Sequence, residues 1–236
     1  MRKLFIVRKV NIYSYLTFIV VTILLVSAYI VLETSSFDVW LQAKFFDVDA
    51  HRWTVDRDGP TLKLIFYTGP KYLLALFGLY ILVTAIKNRK DRAQLKNKIV
   101  LLLGLGLIPL TCSSLKYMTK TYCQWDLSNY GGNQRYVKFL ESYPSTYMQP
   151  AKNPQCFPGG HSSGGFALLA LFFYWYNHPR KSLKWCGLSL GLVSGHVMGL
   201  YQMAKGAHFY SHNFATIVLT WILAWTFFKI KDLKFN

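Results

Sequence analysis

The chain has 236 residues, 53% of them hydrophobic and 17% aromatic, and a formal charge of +17. In a soluble domain such a charge points to nucleic acid. Here Lys and Arg fall in short clusters between long apolar runs, the pattern of membrane loops, which argues against a soluble nucleic-acid binder and for a polytopic membrane protein.

A bilayer-crossing helix needs about 20 mostly apolar residues. The first candidate runs from Ile12 to Leu32; it is too long for a signal-peptide core, no A-x-A site follows, and it is taken as an uncleaved helix. A polar loop, Glu33 to Phe66, leads to a second span from about Tyr72 to Ile86, with an earlier start at Ile65 as the alternative. The third span is Ile99 to about Leu115 and contains Gly104, Gly106 and Pro109. After a longer polar loop, Lys116 to Gly160, the fourth covers about Gly164 to Tyr176 and gains sufficient length if it begins near His161. The fifth is Trp185 to about Met203, and the sixth, after a short link from Lys205 to His212, is about Phe214 to Ile230. Trp40, Trp53, Tyr72, Trp175 and Trp185 stand near the ends of apolar runs, where interfacial aromatics belong.

Six spans put both termini on one side. Of the 27 Lys and Arg, 16 fall on that side, among them Arg2, Lys3, Arg8, Lys9, Lys231 and Lys234. The other 11, Lys152 included, are mixed with nearly all the acidic residues. The terminal side is therefore assigned to the cytoplasm. The fold class is all-α: one membrane-embedded helical bundle over residues 1–236, about six transmembrane helices, both termini cytoplasmic, with the chemistry-bearing core at about 99–230.

Three polar segments meet at the outer ends of spans three to six. They are Lys116 to Asp126, Cys156 to Gly165, and Gln202 to Asn213. In the second, Pro158-Gly159-Gly160-His161 precedes a helix start; its glycines allow tight turns, and the first N–H groups of a helix have no internal partner and attract phosphate. A plain Gly-rich loop capped by Ser162 or Ser163 is the alternative. In the third, His208 and His212 are four apart and share a face if helical. Packing at the interface is one explanation of that pair. A metal pair is another, but no H-E-x-x-H and no neighbouring carboxylate accompany it, so no metal or other cofactor is assigned. Lys116 and Lys205 are cations at the apolar boundary, suited to phosphate or simply snorkelling to headgroups. Lys71 is taken as a snorkelling anchor, and His196 as a helix–helix hydrogen-bonding residue. Together the segments hold two imidazoles, several cations and free amides on one membrane face. One imidazole can attack phosphorus, the other can protonate the leaving oxygen, and the cations stabilise the equatorial oxygens.

The order of these motifs resembles the type 2 phosphatidic acid phosphatase superfamily of membrane lipid phosphatases. That family carries Lys, six residues, Arg-Pro; then Pro-Ser-Gly-His; then Ser-Arg, five residues, His, three residues, Asp. The segments Cys-Gln-Trp-Asp-Leu, Phe-Pro-Gly-Gly-His-Ser-Ser-Gly-Gly-Phe-Ala and Lys-Gly-Ala-His-Phe-Tyr-Ser-His, with Phe-Tyr-Thr-Gly-Pro-Lys before span two, are similar to a proteobacterial branch described as lipid A phosphatase-like. The resemblance implies Lys116 and Gly160 at the phosphate, His161 as general acid and His208 as the nucleophile that forms a phosphohistidine. Gly159 occupies the serine position and retains a backbone N–H to offer. Cys123 and Gln124 stand at Arg-Pro, Gln202 at the third-motif arginine and His212 at the aspartate. Lys205 is then the candidate replacement for one cation and Arg135, folding back, for another; His212 or Asn213 is the candidate to orient His208.

The resemblance implies a metal-independent phosphoric monoester hydrolase in the bacterial inner membrane, with its active site facing the periplasm and a membrane-anchored phospholipid or lipid A-type molecule as substrate. A lipid-phosphate phosphotransferase and a catalytically degenerate lipid-phosphate binder are the alternatives. The bilayer is the expected partner, and nucleic acid is not. An oxidising periplasm would let Cys123 and Cys156 join across the large loop; two free thiols are the alternative.

Overall fold

The computed structural model describes residues 12–142 and 154–230. Arg2, Lys3, Arg8, Lys9, Lys152, Lys231 and Lys234, used above for orientation, lie outside the described residues. The chain is mostly helical. Helix α1 covers Ile12–Thr34, and a short α2, Phe37–Gln42, follows it, then a two-stranded hairpin, β1 (Phe46–Asp47) and β2 (Arg52–Trp53). Next come α3 (Pro60–Lys63), a π-helical turn at Leu64–Thr68 and α4 (Gly69–Lys87). Pro70 explains that turn: it has no N–H for the carbonyl four residues back, and the Gly69 N–H instead reaches five residues back to Leu64 O.

Helix α5, Arg92–Thr119, starts at Asp91, whose Oδ1 accepts from the Ala93 and Gln94 N–H groups at 3.1 and 3.0 Å. It runs through Pro109 to a stop at Lys120 in the left-handed conformation. Helices α6 (Ser162–Phe166) and α7 (Ala170–Tyr174) are joined by a 3-10 turn, Ala167–Leu169. Helices α8 (Ser182–Ala204) and α9 (Tyr210–Ile230) complete the bundle.

Among the described residues, three helices are long and apolar enough to cross a membrane: Ser14–Thr34, Pro60–Lys87 and Arg92–Asp126. The second begins well before Tyr72, in line with the earlier of the two starts. Helices α8 and α9 have 23 and 21 residues, and their Gly, Ser, His and Asn content dilutes their hydropathy. The apolar run Ser162–Tyr174 is shorter, about 20 Å at 1.5 Å per residue. It is also largely buried: Phe166, Ala167, Leu169, Leu171 and Phe173 are all nearly inaccessible. A segment covered by protein need not match the bilayer, because its surroundings are other helices rather than lipid.

Close approach of backbones makes that burial possible. A Cβ on Gly165 would stand 2.5 Å from Gly195 N of α8, and one on Gly195 would overlap the Phe166 ring. The apolar core packs Leu101, Leu105 and Ile108 of α5 against Ala170, Leu171, Phe172 and Phe173, with Ala224 and Phe228 of α9.

At the motif-bearing end the two polar loops close over the link between α8 and α9. The Gln42 side chain donates to Met203 O at 2.8 Å, the Val55 N–H to Ala204 O at 3.1 Å and the Trp125 N–H to Gly206 O at 3.0 Å. Asp38 Oδ1 accepts the Ser211 N–H at 3.0 Å. Gly206 adopts φ +77° directly beneath the Trp53 ring, which leaves no room for a side chain.

Candidate active site

The site is assembled from the ends of four helices. The last turn of α5 carries Lys116. Beyond Lys120, Cys123 is joined to Cys156 by a disulfide. From Cys156 the chain leads through Gly159 and Gly160 to His161 at the start of α6. Gly160 matters sterically: a Cβ there would lie 2.9 Å from Lys116 Cδ and 3.3 Å from its Nζ, so the missing side chain is the channel through which Lys116 reaches the site.

After α8 the backbone turns sharply, with the Gly206 N–H on Met203 O at 2.9 Å and the Ala207 N–H on Gln202 O at 2.8 Å. This turn delivers His208, which is 1% exposed. His208 Nδ1 lies 2.7 Å from the carbonyl oxygen of Cys156. A carbonyl only accepts, so Nδ1 carries the proton and the neutral ring has its lone pair on Nε2. Nε2 is buried and has no protein partner. The His161 ring lies 5.9 Å away, centroid to centroid, with its own Nδ1 buried and unpartnered.

Burial, then the Lys116, Lys205 and Lys71 ammonium groups, push His161 down to about 3. Burial, followed by Lys116 and the two neighbouring imidazoles, holds His208 well below its ordinary range. Both rings are therefore neutral at neutral pH until a negative charge arrives. Tyr67, on the π-helical turn, packs against His161 with ring centres 4.5 Å apart and planes tilted by 46°, and Lys71 Nζ lies 3.8 Å and Lys205 Nζ 5.9 Å from the Tyr67 ring centre. Lys71 is thus part of the site rather than a distant membrane anchor. The sequence signal for it was the Phe-Tyr-Thr-Gly-Pro-Lys segment, which by residue type alone also describes a snorkelling lysine.

Other expectations need correction. The Gly159 N–H is taken up by His212 O at 3.0 Å and is not available to phosphate. His212 does not hold His208 in place: its ring centre is 6.0 Å from that of His208, its Nδ1 has no partner, and its ring meets Phe157 and Phe209 in perpendicular edge contacts. The Cys156 carbonyl faces His212 as well. Asn213 is engaged elsewhere, its Oδ1 accepting from Ser162 Oγ at 2.9 Å. Ser162 and Ser163 do not cap α6 through its N–H groups; their hydroxyls donate to Gly159 O and Gly160 O. Arg135 is exposed in the loop after Tyr130 and is not among the cations acting on either histidine. Gln124 and Gln202 are fully buried, and neither amide has a protein partner. His196 is bonded within its own helix, Nδ1 to Leu192 O at 2.8 Å, and meets Tyr210 Oη of α9 at 3.4 Å.

A cavity of about 670 Å³ opens from this cluster. Lys116, Gly160, His161, Lys71 and Tyr67 line it together with Ser113 and Ser194 and with the apolar Leu73, Leu74, Phe77, Pro109, Leu168, Leu190 and Met198. Its chemistry is that of a polar head joined to an apolar body. Among the described residues no group of three or more His, Cys, Asp or Glu is arranged to hold a metal ion.

Residues 97–235 match the family model described as the PAP2 superfamily. No curated protein and no solved structure matches the chain.

Proposed function

Since this chain belongs to the PAP2 superfamily, whose members are phosphatases, we propose that it hydrolyses the phosphomonoester of a membrane-anchored lipid through a phosphohistidine on His208. The observation that carries this reading is the buried, unpartnered Nε2 of His208, whose ring centre lies 5.9 Å from that of His161 and whose ring feels the Lys116 ammonium. In the first step the Nε2 lone pair forms a bond to phosphorus as the bond to the lipid oxygen breaks, and His161 gives its proton to that oxygen. In the second, water attacks phosphorus, the N–P bond breaks, and His161 takes a proton from the water. Lys116, Lys205 and Lys71 supply cations for the phosphoryl oxygens, and Gln202 supplies a neutral amide where the resemblance has arginine.

The apolar cavity supports a lipid whose chain stays among the helices while its head reaches the histidines. The Cys123–Cys156 bond supports an oxidising compartment, and hence the periplasmic side of a bacterial inner membrane. Six spans with both termini cytoplasmic agree with this reading. In such an arrangement α6 and α7 make the buried fourth pass, and the Lys and Arg clusters at Lys87–Lys98 and Arg180–Lys184 face the cytoplasm. A lipid A-type substrate is the specific proposal, drawn from the motif resemblance.

The test is phosphate release by the purified protein in detergent from lipid A, undecaprenyl pyrophosphate, phosphatidylglycerol phosphate and phosphatidate, with His208→Ala as control. Release from at least one lipid, abolished in the control, is the expected result. Undiminished release by His208→Ala would defeat the reading, and binding without release by the intact protein would identify a degenerate member.

A further inference from the structure

A nucleophilic histidine needs a second group that fixes its tautomer and its ring plane. The chain has no carboxylate at the place where the resemblance has one, and neither His212 nor Asn213 bonds to His208. What does bond to it is main chain: Cys156 O, at 2.7 Å from Nδ1. We propose that this carbonyl, anchored by the Cys123–Cys156 disulfide, is the positioning group for His208, so that catalysis requires the oxidised protein. The inference rests on the proposed role of His208 as nucleophile.

The local structure shows why the anchor matters. Cys156 lies outside any helix or ladder. Its N–H donates to Thr121 O at 3.0 Å, and the next carbonyl, Phe157 O, accepts from Thr119 Oγ1. Those two hydrogen bonds are neutral and individually weak. The disulfide is the covalent link between the same two segments, and it spans 33 residues of sequence. Cys123 and Cys156 are 7% and 5% exposed, so the bridge is a packed part of the wall behind His208.

The consequence is chemical. Free imidazole in water is not confined to the Nδ1–H form, whereas a carbonyl at Nδ1 imposes it and leaves Nε2 as the only lone pair. After phosphoryl transfer the ring is cationic, and the same carbonyl dipole then faces the Nδ1–H of a charged donor, a stronger bond than in the neutral state. Cys156 O is thus matched better to the phosphorylated ring than to the resting one.

The test uses full-length protein in detergent with ¹⁵N-labelled histidine. Oxidised protein already alkylated at the exposed Cys186 is compared with the same protein then reduced by a phosphine and alkylated at Cys123 and Cys156, and with Cys123→Ser/Cys156→Ser; circular dichroism reports the fold. The expected result is the Nδ1–H tautomer of His208 when oxidised and a mixture when reduced. With dioctanoyl phosphatidate, kcat falls at least tenfold on reduction while KM stays within about twofold, as expected of an orienting partner, and recovers when the unalkylated thiols are reoxidised. A purely structural bridge would not change the tautomer of the protein that remains folded. If the double variant does not fold, the reduced wild-type protein decides. An Nε2–H tautomer in oxidised protein, or a tautomer and kcat that survive complete reduction with less than a tenfold loss, would overturn the proposal. If His208→Ala remains fully active, the phosphohistidine reading fails instead, and the tautomer measurement still judges the carbonyl's role.

Discussion

Binding of an anion at this site should draw one proton from solution, and His161 should be where it lands. In the free protein burial and three lysines push His161 down to about 3. Charging it at pH 7 therefore costs about 5 kcal/mol, at about 1.4 kcal/mol per unit. A dianion placed about 4 Å from the ring returns about 8 kcal/mol at an effective dielectric of about 20. The 5.9 Å between the two imidazole centres leaves a phosphate in reach of both. Attraction exceeds cost, so the occupied site holds a protonated His161 ready to donate. The sign follows: the pKa rises on binding, so affinity is greater at low pH and falls about tenfold per unit while the pH lies between the free and bound values. Sulfate is the suitable probe because it does not titrate in the range from about pH 5.5 to 7.5. Isothermal titration in two buffers of different ionisation heat counts the protons directly. The expected count is near one for the wild type and near zero for His161→Gln. No uptake by the wild type would refute the reasoning. So would uptake that survives in His161→Gln and disappears in His208→Gln, which would exchange the roles of the two rings.

Lys116→Met should lower kcat/KM for lipid phosphate by about 10²–10³-fold, with an unchanged circular dichroism spectrum; a loss under tenfold would remove Lys116 from the phosphate site. Leu168→Trp, which intrudes into the apolar cavity, should raise KM for a long-chain lipid phosphate about tenfold and leave a short soluble phosphomonoester unaffected; equal effects on both would mean that the cavity does not hold the chain. Asp38, 2% exposed, is pushed up to about 6 by burial. Its protonated form contributes stability that is complete below about pH 4 and is lost as the pH rises through about 6, a change of about 3 kcal/mol. Asp38→Asn, which keeps an acceptor for Ser211, should therefore raise the melting temperature above about pH 6.5 and have little effect near pH 4; equal melting shifts at both pH values would refute the assignment.

The bundle was legible where a local property decides. A helix in lipid needs a continuous apolar run, so α1, α4 and α5 announce themselves by composition, and hydropathy ends within a few residues of where the helices end. The buried α6–α7 segment was harder to delimit because its environment is protein, Gly165 meeting the backbone of α8 at Gly195, so that bilayer thickness does not fix its length. His161, His208 and Lys116 were nominated by residue type and spacing. Their meeting point depends on how four helix ends pack, which no single segment encodes.

By itself, then, the sequence determined a membrane bundle with imidazoles and cations gathered at one end. The tertiary structure alone decided which atoms face one another there. The Cys156 carbonyl on His208 involves a main-chain group that every residue possesses, so no sequence pattern marks it. The hydrogen bond from Ser211 to Asp38 joins residues 173 apart, from a loop that carries no family motif. Lys71 differs from a snorkelling anchor only in direction, and that direction is set by the π-helical turn and by Tyr67. Hydropathy and charge act residue by residue, whereas hydrogen bonds act over about 3 Å, and distances of that order exist only once the chain has packed.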